Sequence, residues 1–254
     1  MINALICCHK TGDVMPLTLQ PLLECLFVSQ ILIADGPSGT AHKASLFVDT
    51  PSVQEVVQGI ASDKITYQWS KGHSSRSVKN NEILQKVSAD CTWILCVDSD
   101  EVWRLADLDM LWKFLNSRPA FDRYCILSRN PYPDFFHEFQ MPERYGRIYR
   151  WFPGAKCQHS DRLHQYVLHD RQKKVSPRQH HWGCAQLPAD LRFYHLNALR
   201  MEAWGVPQEL RRVRLQDDGT VVWRGGKKRH TSDIKPIDRR LIPQVILDLK
   251  RDTL

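Results

Sequence analysis

Short apolar runs alternate with amphipathic stretches through the first 120 residues. Apolar runs of strand length predict strands, whereas apolar residues spaced three and four positions apart predict helices. The pattern predicts strands and helices in alternation, with strands at residues 1–7, 30–34, 65–69 and 92–97 and helices at residues 17–29, 53–61, 77–88 and 105–116. This order is typical of an α/β fold with a mostly parallel sheet and helices on both faces, because parallel strands need crossover connections.

The pattern changes near residue 121. Strands are predicted at residues 124–128 and 146–151, between loops rich in Pro, His, Arg and aromatic residues. Weaker signals predict a helix at residues 196–202, a hairpin strand at residues 220–223 before a turn at Gly225-Gly226, and a final helix at residues 236–249. Since no linker composition separates the two parts, we expect residues 1–120 and 121–254 to be halves of one globular domain.

Charge separates the two halves more sharply than hydrophobicity does. The net charge of +7 is made up of −3 over residues 1–120, +6 over residues 121–200 and +4 over residues 201–254. Seven of the eleven histidines also lie between residues 121 and 200. The basic second half favours an anionic partner, although a solvated basic surface without such a partner explains the charge equally well.

Membrane and export signals are weak in this sequence. No run approaches the roughly 20 apolar residues of a membrane-spanning helix. The apolar run Ile2–Cys8 lacks the basic leader and small-residue cleavage site of a signal peptide and is interpreted as a strand. The eight cysteines form no CxxC pair and no zinc-ligand spacing, so reduced thiols and a cytoplasmic location are expected.

Acidic residues follow the most apolar predicted strand directly. Residues 93–97 lead into Asp98, Ser99, Asp100 and Glu101. Ligands of open parallel sheets bind at the carboxyl ends of the strands, and two aspartates at this spacing could hold a divalent cation together with substrate phosphates. The alternative is that these carboxylates only end the strand or cap the following helix.

Two further segments carry candidate ligand contacts. Asp35 ends the second predicted strand, where it could accept hydrogen bonds from a base or a ribose or could simply form a turn with Gly36. Arg76, Asn80 and Asn81 lie near the start of the third predicted helix. Helix amino termini attract phosphate, although a capped, solvated helix end explains the same residues.

The order of these segments resembles the family 2 glycosyltransferases of the GT-A fold. That family has a strand ending in Asp followed by Gly and Ser, as in Asp35-Gly36-Pro37-Ser38, and then a helix carrying Asn before a strand that ends in DxD. The resemblance covers residues 1–105 and fades towards residue 200. It implies a Rossmann-like donor half over residues 1–120, an acceptor half over residues 121–254, and Mn²⁺ or Mg²⁺ as the cofactor.

The resemblance also implies roles for individual residues in the transfer of a sugar from a nucleotide-diphosphate sugar to an acceptor hydroxyl. The implied metal ligands are Asp98, Asp100 and His195. His195 follows apolar Phe193-Tyr194, as a late histidine ligand of the family does, although a packed core histidine fits the same pattern. The implied donor contacts are Asp35, Arg76, Asn80, Asn81, Asp98, Arg147 and Arg150. The two arginines resemble an arginine-bearing strand of the family, and solvent-facing side chains on an edge strand are the alternative.

The catalytic base departs from the family pattern. Many inverting members carry it as the carboxylate of a His-Glu or Glu-Asp pair, but here Gln165 follows His164, and an amide cannot accept the proton. His164, Asp161 and Glu143 are the candidate bases, and a histidine suits proton transfer near neutral pH. Whether the anomeric configuration is retained or inverted stays open.

Other enzyme classes share parts of this pattern. The segment from Asp98 to Val102 fits the DxDx(V/T) signature of haloacid-dehalogenase-like phosphatases, but that motif ends a first strand and not a fourth. A nucleotidyltransferase would need the same handling of metal and diphosphate. A non-catalytic nucleic-acid-binding protein would explain the basic half but not the carboxylates at the strand ends.

The acceptor half combines positive charge with aromatic side chains. These aromatic residues are Tyr132, Phe135, Phe136, Trp151, Trp182 and Trp223. Such surfaces suit nucleic acid and unstacked bases. The leading hypothesis is therefore sugar transfer to a hydroxymethylated pyrimidine in DNA, as in bacteriophage genome modification, in a bacterium or a phage-infected cell. The competing hypothesis is transfer to lipopolysaccharide core or another glycan.

Overall fold

The computed structural model of this protein describes most of the first half of the chain and separate parts of the second half. The described residues are 1–37, 51–70, 75–117, 122–131, 136–139, 144–159, 166–169, 185–188, 190–196, 213–215, 220–223, 228–230 and 234–249.

The helices of the described residues are short. They are α1 (Met15–Glu24), α2 (Val53–Ile60), α3 (Arg76–Ile83), α4 (Leu105–Asn116) and α5 (Gln244–Leu249), with 3₁₀ helices at Leu84–Lys86 and Arg239–Leu241. None of these described helices has the length and apolar composition needed to cross a membrane.

The strands fall into a long central group and several short additions. In chain order they are β1 (Ile2–Cys8), β2 (Val28–Asp35), β3 (Ile65–Trp69), β4 (Trp93–Asp98), β5 (Glu101–Val102), β6 (Arg123–Pro131), β7 (His137–Phe139), β8 (Arg144–Arg150), β9 (Lys156–His159), β10 (Tyr166–His169), β11 (Ala185–Gln186), β12 (Arg192–His195), β13 (Val213–Leu215), β14 (Thr220–Trp223), β15 (Lys228–His230) and β16 (Ile234–Pro236).

The predicted elements of the first half are confirmed in type and order. The bounds of β3 and α4 are those predicted. α1 begins earlier, with Pro16 in its first turn, and it also ends earlier, because Cys25 is extended before β2. The helix predicted for residues 77–88 is divided into α3 and a 3₁₀ turn. Ser75 caps the amino terminus of α3, since its side chain accepts a hydrogen bond from the backbone N–H of Val78 at 3.3 Å.

The predicted start of the final helix, at residue 236, is wrong. Residues 234–236 form β16, a 3₁₀ turn follows, and α5 begins only at Gln244, after Pro243. Pro243 lacks an N–H donor and therefore fits the first turn of a helix and not its interior. The strand at residues 220–223 is confirmed as β14, which pairs with β15, but Gly225-Gly226 and residues 197–202 of the predicted helix lie outside the described residues.

The central sheet is parallel in its first half and antiparallel beyond it. Its strand order is β16-β7-β6-β8-β4-β1-β2-β3, with β5, β11 and β12 attached off this path. β4, β1, β2 and β3 run parallel, while β8 pairs antiparallel with both β4 and β6. The predicted α/β class with a largely parallel sheet is therefore confirmed.

Both faces of the parallel strands are covered, because successive side chains point to opposite faces and these strands are apolar almost throughout. In β4, Trp93, Leu95 and Val97 pack with α1, α2 and α4, whereas Ile94 and Cys96 pack with the end of α3 on the other face. Seven cysteines lie within the described residues, and all seven are buried thiols.

The register of these strands brings distant residues to one edge. Cys8 of β1 lies opposite Asp35 of β2, and Cys7 lies opposite Asp98 of β4, so the two aspartates end strands on either side of β1. The two-residue strand β5 then pairs antiparallel with β12, which places His195 opposite Glu101. Much of the candidate chemistry therefore gathers at the carboxyl edge of the parallel strands.

Candidate active site

Asp98 stands between two arginines. Arg76, from the first turn of α3, bonds one carboxylate oxygen through Nη2, and Nη2 of Arg147, from β8, lies 2.6 Å from the other oxygen. Burial opposes the charged carboxylate, but the two guanidinium groups outweigh it and hold the pKa of Asp98 well below its usual range. Asp98 is therefore ionised throughout the neutral pH range.

Glu101 and Arg147 form a fully buried ion pair next to Asp98. Arg147 Nε lies 3.1 and 3.2 Å from the two carboxylate oxygens of Glu101, and Nη2 bonds the same carboxylate. The backbone N–H of Asp98 donates to Glu101 Oε2 at 3.1 Å. Burial raises the pKa of Glu101 to about 8, and Arg147 opposes this shift only in part. Each of these contacts offers the carboxylate an N–H donor, which favours its ionised form.

Asp100 and His195 face each other beside this network. His195 Nε2 lies 3.7 Å from Asp100 Oδ1, and His195 Nδ1 hydrogen-bonds with the Tyr145 hydroxyl at 3.3 Å. Their backbones are joined as well, because the N–H of Leu196 donates to the carbonyl of Asp100 at 2.8 Å. Two groups far apart in sequence are therefore fixed next to each other by both side chains and main chain.

A divalent cation fits Asp100 and His195 better than it fits all three predicted ligands. An oxygen and a nitrogen bound to one cation lie ~3–4 Å apart, which agrees with the measured separation. Both oxygens of Asp98 are instead bonded to arginines. Within the described ranges, no group of three or more His, Cys, Asp or Glu side chains is close enough to hold a metal ion. A cation here would therefore depend on substrate oxygens or water for its remaining ligands.

Asp35 lies at the same sheet edge in a different environment. Its carboxylate accepts hydrogen bonds from the Gly36 N–H at 2.6 Å and from the Tyr67 hydroxyl at 2.9 Å. Burial raises the pKa of Asp35, and these two hydrogen bonds only partly offset that effect. Gly36 is required here, because its φ is +125° and a Cβ atom would lie 2.4 Å from the carbonyl oxygen of Ser70.

Lys79 is a buried cation that the sequence reasoning missed. Its Nζ donates to the carbonyl of Cys8 at 3.3 Å and also to the carbonyl of Gly36, so it ties the ends of β1 and β2 to α3. A solvated helix start, the alternative considered for this segment, does not describe this lysine. The signal was nevertheless present, because Lys79 lies four positions before buried Ile83 and shares its helix face.

The remaining predicted donor contacts lie apart from this cluster. Asn81 exchanges hydrogen bonds with the backbone of Cys157, at 3.0 and 2.6 Å, and Asn80 donates to the Cys157 sulfur at 3.6 Å. Both amides therefore join α3 to β9. Arg150 lies opposite Trp93 at the start of β4, the other end of the sheet, where it pairs with Asp122 at 2.9 Å.

The predicted catalytic bases are not among the residues that the structure describes. His164, Asp161 and Glu143 all lie outside the described residues, as does Gln165. The structure thus brings together Asp35, Arg76, Asp98, Asp100, Arg147 and His195.

Comparison with known proteins finds only distant similarity. No family model and no curated protein matches the chain. Among solved structures it is similar to S. aureus TarS 1-349, with 14% identity over 59% of this chain and 46% of that chain and a TM-score of 0.42. The same protein was solved in complex with UDP-GlcNAc. This chain therefore spans less than half of that TarS chain.

Two further solved structures are similar over comparable lengths of the chain. CMP:2-keto-3-deoxy-manno-octonic acid synthetase complexed with CTP shares 14% identity over 59% of this chain and 73% of that chain, with a TM-score of 0.36. The 4-diphosphocytidyl-2C-methyl-D-erythritol synthase of Anaerococcus prevotii shares 13% identity over 67% of each chain, with a TM-score of 0.33. At these values the similarity assigns no function, so a function has to be inferred from the site itself.

Proposed function

We propose that this protein is a metal-dependent glycosyltransferase that uses a nucleotide-diphosphate sugar. The observation that carries the proposal is the convergence of three carboxylates, a guanidinium and an imidazole at one edge of a parallel sheet. They are Asp35, Asp98, Asp100, Arg76 and His195. This edge is where open α/β sheets bind nucleotides, and core packing does not account for charged groups there.

The nucleoside would occupy the space between Asp35 and Asp98. Asp35 has a raised pKa and polar neighbours, which suits a hydrogen bond from a nucleobase or ribose. Asp98 stays ionised, and its side chain is 21% exposed, so it can accept hydrogen bonds from ribose hydroxyls. Arg76 is equally exposed and begins α3, where a phosphate would meet both a guanidinium and a helix amino terminus.

The diphosphate would lie next to Asp100 and His195. These two side chains would hold Mn²⁺ or Mg²⁺, which when bound neutralises the charge of the diphosphate leaving group. The Tyr145 hydroxyl holds the His195 ring in place through a hydrogen bond with Nδ1, and the pairing of β12 with β5 holds the backbone of His195. The protein's own contribution at this point is to keep the two ligands at a fixed separation.

The acceptor hydroxyl would be activated by a base from the second half of the chain. His164, Asp161 and Glu143 are the proposed candidates, and an imidazole is the side chain type that suits proton transfer near neutral pH. We propose hydroxymethylpyrimidine in DNA as the acceptor, because residues 121–254 are strongly basic and rich in aromatic side chains. Lipopolysaccharide core or another anionic glycan is the competing acceptor.

The donor proposal is tested by nucleotide-sugar binding with and without Mn²⁺. A panel including UDP-GlcNAc, UDP-glucose, GDP-mannose and CDP-linked sugars is screened by thermal stabilisation and then by calorimetry. Asp100→Asn is expected to abolish the Mn²⁺-dependent part of binding without unfolding the protein. Asp122→Asn, the same change at the opposite end of the sheet, is the matched control and should bind as the wild type does.

Two results would contradict the donor proposal. One is wild-type affinity and turnover of a nucleotide sugar by Asp100→Asn. The other is stabilisation by CTP together with release of pyrophosphate, which would indicate a nucleotidyltransferase.

The acceptor proposal is tested separately with labelled sugar. Hydroxymethylcytosine-containing DNA, unmodified DNA and lipopolysaccharide core are incubated in parallel with the donor found in the screen. Sugar incorporation into the modified DNA alone would support the DNA acceptor. Incorporation only into the glycan, or none into modified DNA, would overturn it.

A further inference from the structure

Glu101 is a carboxylate of the site that no ligand can reach. Its side chain is fully buried, and both its oxygens are occupied by Arg147 and by the backbone N–H of Asp98. It follows Asp100 directly in the chain and begins β5. A role in binding or chemistry would have to pass through a neighbouring group.

That neighbour is Arg147, which is also fully buried. Its guanidinium is oriented on one side by Glu101 and lies above the rings of Tyr145 and Phe193, with its Cζ 4.8 and 5.8 Å from their centroids. In this orientation Nη2 meets one oxygen of Asp98 at 2.6 Å. Arg147 thus connects an inaccessible carboxylate to the one that faces the proposed donor.

Stability alone gives weak reason to bury this pair. Buried ion pairs can often be replaced by apolar residues of similar volume without loss of stability, because two charges have to be removed from water. A buried arginine does, however, hold a carboxylate at a defined angle through its planar, forked donors. Orientation of Asp98 is a result that an apolar replacement would not provide.

We propose that Glu101 is a positioning residue of the donor site, which fixes the orientation of the Asp98 carboxylate through Arg147. The inference rests on the proposed donor function and deepens it. It also reassigns Arg147, predicted from sequence as a donor contact, to the support of Asp98. Glu101 and Arg147 then contribute to nucleotide affinity without touching the nucleotide.

The test is a double-mutant cycle on nucleotide binding. Glu101→Gln replaces an oxygen with an amide NH₂ that faces N–H donors, so Arg147 loses its fixed orientation. Affinity for UDP, CDP, GDP, ADP and TDP is measured by calorimetry for wild type, Glu101→Gln, Asp98→Asn and the double variant. For each nucleotide that binds, Glu101→Gln is expected to weaken affinity about 10- to 100-fold, as loss of one well-oriented hydrogen bond to a charged group does.

The cycle distinguishes positioning from a general structural role. Because Glu101 acts through Asp98, Glu101→Gln should have little further effect once Asp98 is Asn. An equal loss of affinity in both backgrounds would overturn the inference. Glu24→Gln, at an exposed position at the end of α1, is the control and should leave affinity unchanged.

A second variant covers the case in which Glu101→Gln does not fold. Arg147→Lys keeps the buried positive charge but cannot bond both carboxylates with a planar fork, so it should show the same loss of affinity. Wild-type nucleotide affinity in a folded Arg147→Lys protein would contradict the inference.

Failure of the proposed function can be told apart from failure of this inference. If wild-type protein binds none of the nucleotides, the donor proposal is wrong, and the cycle is repeated on denaturant unfolding midpoints. Shifts that are not additive between Glu101→Gln and Asp98→Asn would still show that Glu101 supports Asp98. Additive shifts would overturn the positioning role.

Discussion

Asp35 and Asp98 occupy equivalent places in the sheet but have opposite electrostatic environments. Each ends a parallel strand next to β1, and each follows an apolar run. Asp98 is bonded by Arg76 and Arg147, which hold its pKa low. Asp35 is bonded by a phenol and a backbone N–H, and burial raises its pKa. The same sequence signal therefore produces two chemically different carboxylates.

The difference assigns them different tasks in the proposed donor site. A carboxylate that stays ionised and is oriented by two guanidinium groups suits the acceptance of hydrogen bonds from ribose hydroxyls. A buried carboxylate with neutral partners suits the recognition of a neutral group by hydrogen bonding. Substitutions at and around the two aspartates should therefore have effects of different sign.

The largest effect is expected from replacement of Arg147, whose guanidinium group pairs with both Asp98 and Glu101. Arg147→Met leaves two carboxylates without their buried partner and should lower the free energy of unfolding by about 3–5 kcal/mol. Chemical denaturation measures the change. Arg150→Met on the same strand removes an exposed pair with Asp122 and should change it by only about 0–1 kcal/mol. Equal effects of the two substitutions would contradict the electrostatic role of the buried network.

The next largest effect is expected at Asp98 itself. Asp98→Asn should lower the free energy of unfolding at pH 7 by about 1.5–3 kcal/mol, the contribution of hydrogen bonds to charged groups. Because the folded pKa is depressed, this stabilisation is complete above the unfolded pKa of about 3.9 and is lost as pH falls below it. Unfolding of both proteins between pH 3 and pH 8 tests this, and a constant difference would refute it.

Asp35 should respond in the opposite direction and by a smaller amount. Its raised folded pKa means that the ionised form carries a penalty at neutral pH, which appears as pH rises through the folded pKa. Asp35→Asn is therefore expected to increase the free energy of unfolding at pH 8 by about 0.5–2 kcal/mol while it weakens nucleotide binding. The opposite result would be a lower free energy of unfolding for Asp35→Asn than for wild type at pH 8, with no smaller difference at acidic pH. It would show that the hydrogen bonds of Asp35 outweigh the cost of burying its charge.

The smallest effect is expected at the contact that orients His195. Tyr145→Phe removes one hydrogen bond to Nδ1 and should weaken Mn²⁺ affinity about two- to fivefold, as a single neutral hydrogen bond allows. Calorimetric titration with Mn²⁺ measures it. Tyr149→Phe on the same strand loses a hydrogen bond to Gly146 instead and serves as the control. Identical Mn²⁺ affinity of the Tyr145 variant and wild type would exclude the contact from the proposed metal site.

The position of the carboxylates at one sheet edge could be predicted from sequence, but the charged groups that surround each of them could not. Alternating strands and helices predict that β2 and β4 end at the same edge, which brings Asp35 and Asp98 near each other. The sequence predicts Arg147 as a donor contact or, alternatively, as a solvent-facing residue of an edge strand, and only the antiparallel register of β8 against β4 shows that it is buried beside Asp98. Electrostatic neighbours that are 49 residues apart leave no local pattern.

The same limit applies to the smaller elements of the site. The two-residue strand β5 is too short for any periodicity, and the apolar Phe193-Tyr194 segment before His195 is too short to predict a strand. Lys79 was missed because a lysine near a helix start is normally solvated. The sequence identified Asp100 and His195 as partners only through family resemblance, whereas the structure places them 3.7 Å apart.

The pairing of β5 with β12 has a consequence for the order of folding. It joins residues 101 and 195, so the chain between them must be closed into a long loop before the pair can form. Closing such a loop is entropically unfavourable and slow relative to local contacts. The parallel strands at the amino-terminal side can assemble first, and the Asp100–His195 pair completes late. Regained affinity for Mn²⁺ at the proposed metal site is therefore expected to mark the last stage of refolding, after most helical signal has returned.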